Sequence, residues 1–277
     1  MQHNFVFFGT PEVARKTLRA LLDAGFRPTI VVTNPDAPKG RGLALTSSPV
    51  KELALAESIP VLTPDILDEE AQKAIVSYNC SYGVAVAYGK IFPEKLISAF
   101  PKGVLNVHYS LLPKYRGATP TEAALLAGDS VTGVTIQKMV LALDAGEILA
   151  QEEISIAPTE TVRELRPRLI ELGTKLLLET LPRFENDEIT PIAQDDARAS
   201  RARKLKKEEG LLDLAAPAIE NWNKYRAYAD TIGTHFFTAE GKRVKIVSAE
   251  LSGNDFKILR IIPEGKSEMD YADFSHT

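Results

Sequence analysis

Residues 4–25 read NFVFFGTPEVARKTLRALLDAG, and the change of period inside this stretch decides the fold class. The continuous apolar run over 4–9 is a strand buried on both faces, whereas from residue 11 to 24 apolar positions recur at helical spacing. Thr10 is the expected N-cap with proline in the first turn, and Gly25 is the stop. A strand buried on both faces that feeds directly into a helix is the opening of a parallel sheet covered by helices.

The same alternation continues outward. Strands are expected over 27–33 (RPTIVVT), 81–87 (SYGVAVA) and 103–108 (GVLNVH), and helices over 49–57, 69–78, 119–126 and 161–184, with Pro182 bending or ending the last. The expectation is an α/β chain whose doubly wound, mostly parallel, Rossmann-like sheet occupies residues 1–187. The turn after the first strand, Gly9-Thr10-Pro11, lacks the glycine spacing that admits a pyrophosphate, so a dinucleotide site is disfavoured.

After residue 185 the apolar periodicity stops, and Arg198, Arg201, Arg203, Lys204, Lys206 and Lys207 crowd together. Residues 188–205 are read as a basic interdomain linker. Beyond it a helix over 211–228 and strands over 241–249 and 256–262 predict a small module at 206–277, a shortened OB-like barrel.

With 44% hydrophobic and 25% charged residues, the 277-residue chain has the make-up of a globular protein. A net charge of -4 means that any nucleic-acid contact must come from a local basic surface. The single cysteine, Cys80, excludes an internal disulfide and a multi-cysteine metal site. No signal segment or membrane-length apolar run is visible, and a cytoplasmic monomer is expected.

The chemistry concentrates in NVHYSLLPKYRGATP, residues 106–120, and LDAGEIL, residues 143–149. Asn106 and His108 lie two apart at a strand end, so they point to one side of the sheet about 7 Å apart. In an open parallel sheet, ligands bind beyond such carboxyl ends. Asn106 offers an amide donor to a developing oxyanion, His108 exchanges protons near neutral pH, and Asp144 supplies a carboxylate to orient the imidazole. A lone histidine after a strand is more often structural, and Asp-Ala-Gly is ordinary turn chemistry. Only the clustering favours a site, and residue chemistry alone reaches no further than acyl or proton transfer.

The run HYSLLPKYRGATP followed by GVTIQKMVLALDAGEIL resembles the signature of folate-dependent formyltransferases. FFGTPE, TNPDAPKGRG, SSPVKELA, KLKKEEGLLDL, GKRVKI and PEGKSEMDYADF extend the similarity over nearly the whole chain, toward the branch whose acceptor is the amine of methionyl-tRNA. The resemblance implies a catalytic set of Asn106, His108 and Asp144, with 10-formyltetrahydrofolate as co-substrate and no metal. It implies folate contacts at Tyr88, Gly89, Lys90, Ile91, Ser110, Leu111, Leu112, Pro113, Leu141 and Leu143. Contacts to tRNA are implied at Lys39, Arg41, Arg201, Arg203, Lys204, Lys206 and Lys207. Without the resemblance, KGRG reads as a flexible surface turn, and Tyr88, Ile91 and Phe92 as core at a strand end.

Three features depart from the family pattern. Tyr109 stands where a small residue or proline is usual, and its ring is expected either to crowd the folate slot or to contact substrate. Residues 226–237 lack an expected proline and tryptophan, and only residues 252–255 separate two strands where the family inserts more sheet. Other acceptors with the same catalytic set are a sugar-nucleotide amine, glycinamide ribonucleotide, or water in a hydrolase. A noncatalytic tRNA-binding relative is the alternative outside enzymes.

Overall fold

The computed structural model describes residues 3–39 and 44–274. Contacts divide the chain into two compact units, one of Met1–Pro113, Val134–Glu152 and Ile170–Arg198, the other of Lys114–Gly133, Glu153–Leu169 and Ala199–Thr277.

The first unit starts with β1 (Phe5–Gly9) and α1 (Glu12–Asp23). Then follow β2 (Ile30–Val32), a hairpin of β3 (Ala37–Lys39) and β4 (Ala44–Thr46), α2 (Pro49–Ala56) and β5 (Val61–Leu62). Next come α3 (Glu69–Val76), β6 (Tyr82–Val86), α4 (Glu94–Ser98) and β7 (Val104–His108). Further along the chain are β8 (Arg116–Gly117), α5 (Pro120–Ala127), β9 (Val131–Lys138), β10 (Ile148–Ser155) and α6 (Val162–Glu185). Seven strands form one sheet in the order β10-β9-β7-β6-β1-β2-β5. β1 pairs parallel with β2 and β6, and β6 with β7, while β7 pairs antiparallel with β9.

Both faces of β1 are covered, as its unbroken apolar run requires. On one face Val6 and Phe8 join Ile75, Tyr88, Phe92, Leu96 and Phe100 in a single cluster. On the other, Phe5 stacks on Tyr82 at 5.3 Å and Tyr82 meets Phe184 of α6 edge-on at 5.5 Å. Each such buried aromatic stabilises the fold by roughly 1.5–3 kcal/mol relative to exposure.

Several local expectations are corrected. Thr10 does not cap α1: Pro11 is the N-cap, in extended conformation, and the Thr10 hydroxyl accepts the Asn34 N–H at 3.3 Å. Pro182 does not end α6, which continues to Glu185 and also contains Pro167. Leu177, Leu181 and Phe184 flank Pro182 and are buried, so tertiary burial compensates the missing amide. β9 and β10 lie outside the expected strands, because polar residues such as Thr132, Thr135, Gln137 and Gln151 break up any apolar run in them.

In the second unit, β11 (Arg201–Ala202) pairs parallel with β8. Residues 199–203 are therefore no loose tether: Arg116 N–H donates to Ser200 O at 2.9 Å, and the Thr119 hydroxyl to Arg203 O at 2.7 Å. The helix expected over 211–228 starts late, as α7 (Ala218–Tyr228) with Pro217 at its N-cap. Leu212 N–H instead bonds His235 O at 2.8 Å, a sheet-like contact that draws residues 211–212 away from helix. β12 (Thr234–Phe237), β13 (Arg243–Ser252), β14 (Asp255–Pro263) and β15 (Met269–Asp270) form an antiparallel sheet in that order, and α8 (Tyr271–Phe274) follows. Ser252 pairs with Asp255 across a tight turn, so the β13–β14 hairpin is as short as the sequence implies. Trp222, Tyr225, Phe236, Val244, Ile246 and Ile261 make the core of this small sheet module.

Candidate active site

The β7–β9 register builds the site's floor. Asn106 lies opposite Gln137 and His108 opposite Thr135, so strand alternation turns these four polar side chains to one face. The intervening Val107 turns to the other face, where α6 covers it. A Cβ added to Gly173 of α6 would lie 3.1 Å from Val107 and Val134 and 3.2 Å from the Tyr109 ring. Tyr109 is thus directed into the helix layer behind the sheet. Its ring lies against Gly173, and burial pushes its hydroxyl pKa up.

Asp144 reaches this floor from the turn between β9 and β10. Its Oδ2 lies 3.6 Å from His108 Nδ1, and the two side chains are only 12% and 6% exposed. Gln137 Nε2 donates to Asp144 Oδ1 at 2.8 Å. The Asp144 backbone is left-handed, at φ 50°. The turn touches β9 so closely that a Cβ on Gly146 would fall 1.6 Å from Lys138 O. Gln194 clamps the same turn, its Nε2 donating to Asp144 O at 2.9 Å and to Gly146 O at 2.6 Å. Ile192 and Ile148 bridge beside it through N–H···O bonds of 2.8 and 2.9 Å.

The 110–113 segment is tied down through one hydroxyl. Thr135 Oγ1 donates to Ser110 O at 2.7 Å and accepts from Leu112 N at 3.1 Å and Gln151 Nε2 at 2.7 Å. Gln151 Nε2 also donates to Leu112 O at 3.0 Å. One donor and two acceptor sites are all a hydroxyl has, so Thr135 is saturated. Ser110 and Leu112 are buried by this arrangement, while Leu111 and Pro113 stay partly open.

The expected folate contacts divide by burial. Tyr88 points into the core, 5.6 Å from the Phe8 ring and 5.7 Å from Phe92, and burial pushes its hydroxyl pKa up to about 12. Its side chain is therefore core, and only its main chain is left for a ligand. Lys90 donates to the carbonyls of Pro64 and Asp65, and desolvation lowers its pKa. Gly89 is exposed in a turn at φ 82°. Ile91, Leu141 and Leu143 are 90%, 63% and 71% exposed. Met139, whose N–H donates to Val104 O at 2.7 Å, packs on the cluster that also holds Tyr88 and Phe92.

Of the basic residues, Lys39 ends β3 and Arg41 lies outside the described residues. Arg201, Arg203, Lys204, Lys206 and Lys207 are all exposed or partly exposed. Arg203 is engaged by Glu209, whose hydrogen bond and charge raise the guanidinium pKa. Among the described residues there is no group of three or more metal-ligating side chains, and no helix is long and apolar enough to cross a membrane.

Sequence reasoning missed Gln137, Thr135, Gln151 and Gln194. The first three sit on strands that the sequence did not announce, and Gln194 lies in the stretch read as linker. The alternation of Thr135 and Gln137 within GVTIQK is the one signal that pointed to them.

Comparison with known proteins gives a consistent picture. Residues 3–181 match the formyl transferase domain, and residues 204–258 the formyl transferase C-terminal domain. The chain is 42% identical over 246 residues to the methionyl-tRNA formyltransferase of Coxiella burnetii, covering 88% of this chain and 78% of that protein. It is 39% identical over 293 residues to the one from Koribacter versatilis, covering 97% and 94%. Among solved structures, a sugar 3N-formyltransferase crystallised with dTDP and 5-N-formyl-tetrahydrofolate shares the fold, with TM-score 0.72, 17% identity and coverage of 96% and 100%. Two family domains in order, with about 40% identity along most of the length, show that the chain belongs to the formyl transferase family, in the branch of the methionyl-tRNA formyltransferases.

Proposed function

We propose that this chain transfers the formyl group of 10-formyltetrahydrofolate to the free amino group of methionyl-tRNA by direct attack of the amine. The observation that carries the reading is the convergence of His108 and Asp144, 3.6 Å apart, on the sheet face that Asn106 shares.

In this reading His108 takes the proton of the attacking amine as the new C–N bond forms. Asn106, with the protonated imidazole, donates hydrogen bonds to the oxyanion of the tetrahedral adduct. As the adduct collapses the bond to the folate nitrogen breaks, and His108 returns the proton to that nitrogen. Asp144 stabilises the imidazolium between the two transfers. An α-amino group titrates around 7.7–8.0, so about a tenth or more is neutral at pH 7 and a modest base suffices.

The exposed Ile91, Leu141 and Leu143 give apolar surface for a flat ring system, and the main chain at 88–91 gives polar groups for its edge. Lys204, Lys206 and Lys207, with Arg201, Arg203 and the Lys39 and Arg41 of the KGRG segment, supply phosphate-binding charge on a chain whose net charge is -4. The test is to offer purified protein and 10-formyltetrahydrofolate either methionyl-tRNA, an aminosugar nucleotide, glycinamide ribonucleotide or no acceptor. Formylation of methionyl-tRNA is the expected result. Transfer only to a small amine, or formate release with no acceptor, would defeat the assignment.

A further inference from the structure

Gln137 is 1% exposed and stands directly opposite Asn106. The two ends of its amide have opposite energetics. Nε2 makes a charge-assisted bond to Asp144 Oδ1 at 2.8 Å, while Oε1 is buried with no hydrogen-bond partner among the described residues. Turning the amide over would set Oε1 against a carboxylate oxygen, so the carboxylate dictates its orientation.

A buried acceptor without a partner is a net penalty to the fold. An unbranched apolar side chain of similar volume would remove that penalty and keep the packing around it, but would also take the Gln137 donor away from the largely buried Asp144 carboxylate. Gln194 already holds the main chain of the Asp144 turn, through bonds to Asp144 O and Gly146 O. Bonds to the main chain do not set the rotation of the carboxylate about its own axis. Gln137 restrains that rotation by engaging Oδ1, so that Oδ2 is the oxygen set 3.6 Å from His108 Nδ1.

We propose that Gln137 is a positioning residue for the transfer reaction, one that fixes the rotation of the Asp144 carboxylate toward the imidazole. The proposal rests on the reading of His108 and Asp144 as catalytic groups.

The test compares Gln137→Met, Gln137→Glu and Asp144→Asn in full-length protein, with kcat, KM for 10-formyltetrahydrofolate and for methionyl-tRNA, and Tm as readouts. Gln137→Met is expected to lower kcat roughly 10- to 100-fold through misorientation, with both KM values unchanged and the loss far larger than any change in Tm explains. Gln137→Glu keeps the shape without the donor and is expected to lose at least as much kcat. Added to Asp144→Asn, Gln137→Met should cause no further loss, since the group it positions is already altered. Wild-type kcat in Gln137→Met, a fall in kcat that tracks a fall in Tm, or a fully additive double variant would each overturn the proposal. Slow turnover in Asp144→Asn with normal turnover in Gln137→Met would defeat this inference alone. Normal turnover in Asp144→Asn would defeat the underlying reading of the site.

Discussion

His108 Nδ1 and Asp144 Oδ2 stand 3.6 Å apart, in side chains that are 6% and 12% exposed. At that separation the pair is electrostatically coupled yet slightly longer than a good hydrogen bond, and apo catalytic distances commonly tighten when substrate is bound. Little water screens the pair, so the attraction between the carboxylate and a positive charge forming on the ring is stronger than it would be at the surface.

His108→Ala and Asn106→Ala are expected to lower kcat by roughly 10²–10⁴-fold each, the range for loss of a general base or an oxyanion donor. Folate binding, followed by fluorescence titration or calorimetry, should stay close to wild type. Near-normal turnover in both variants would end the catalytic reading.

Gly146→Ala is expected to be disproportionately harmful for one methyl group. Its Cβ would fall 1.6 Å from Lys138 O, a main-chain atom that cannot swing aside. The Asp144 turn must then lift away from β9. Expected is a destabilisation of about 2–4 kcal/mol by denaturant unfolding, with kcat reduced further than the decrease in folded population explains. A variant with wild-type stability and rate would show that the turn is not built against β9.

Reversal of Lys204, Lys206 and Lys207 to glutamate is expected to raise KM for methionyl-tRNA and leave KM for the folate unchanged. The dependence of tRNA affinity on salt should also become shallower, by about one unit of slope for each phosphate that is no longer neutralised. An unchanged salt slope would remove these lysines from the RNA surface. Arg41→Glu tests the KGRG segment independently in the same assay.

His235, in the sheet of the second unit, has a lowered pKa through burial and then through the charge of Arg243. A histidine with a folded pKa below its unfolded value of about 6.5 binds fewer protons in the folded state over that window. Stability therefore rises with pH there and falls as the solution is acidified through the window. Urea unfolding between about pH 5 and pH 8, buffered at constant ionic strength, should show this slope. His235→Gln should flatten it. An identical slope in the variant would assign the pH dependence to other groups.

The sequence by itself determined the parallel core and the placing of Asn106 and His108 on one side of a strand end. Phe5–Gly9 and Tyr82–Val86 were legible because a strand buried on both faces needs an unbroken apolar run, a local pattern that no other part of the molecule can alter. Asn106 and His108 were legible for the same reason, since strand alternation puts residues two apart on one face. Thr135 and Gln137 were not, because their side chains gain meaning only from the register that sets β9 against β7. Register is a long-range agreement between two strands, and neither strand carries it alone. Tertiary structure likewise decided that Tyr109 lies behind the sheet against Gly173, that Tyr88 is core, and that Gln194, from the stretch read as linker, holds the Asp144 turn. Each of those depends on which surface a distant segment covers, and burial against distant chain is the quantity a local pattern does not contain.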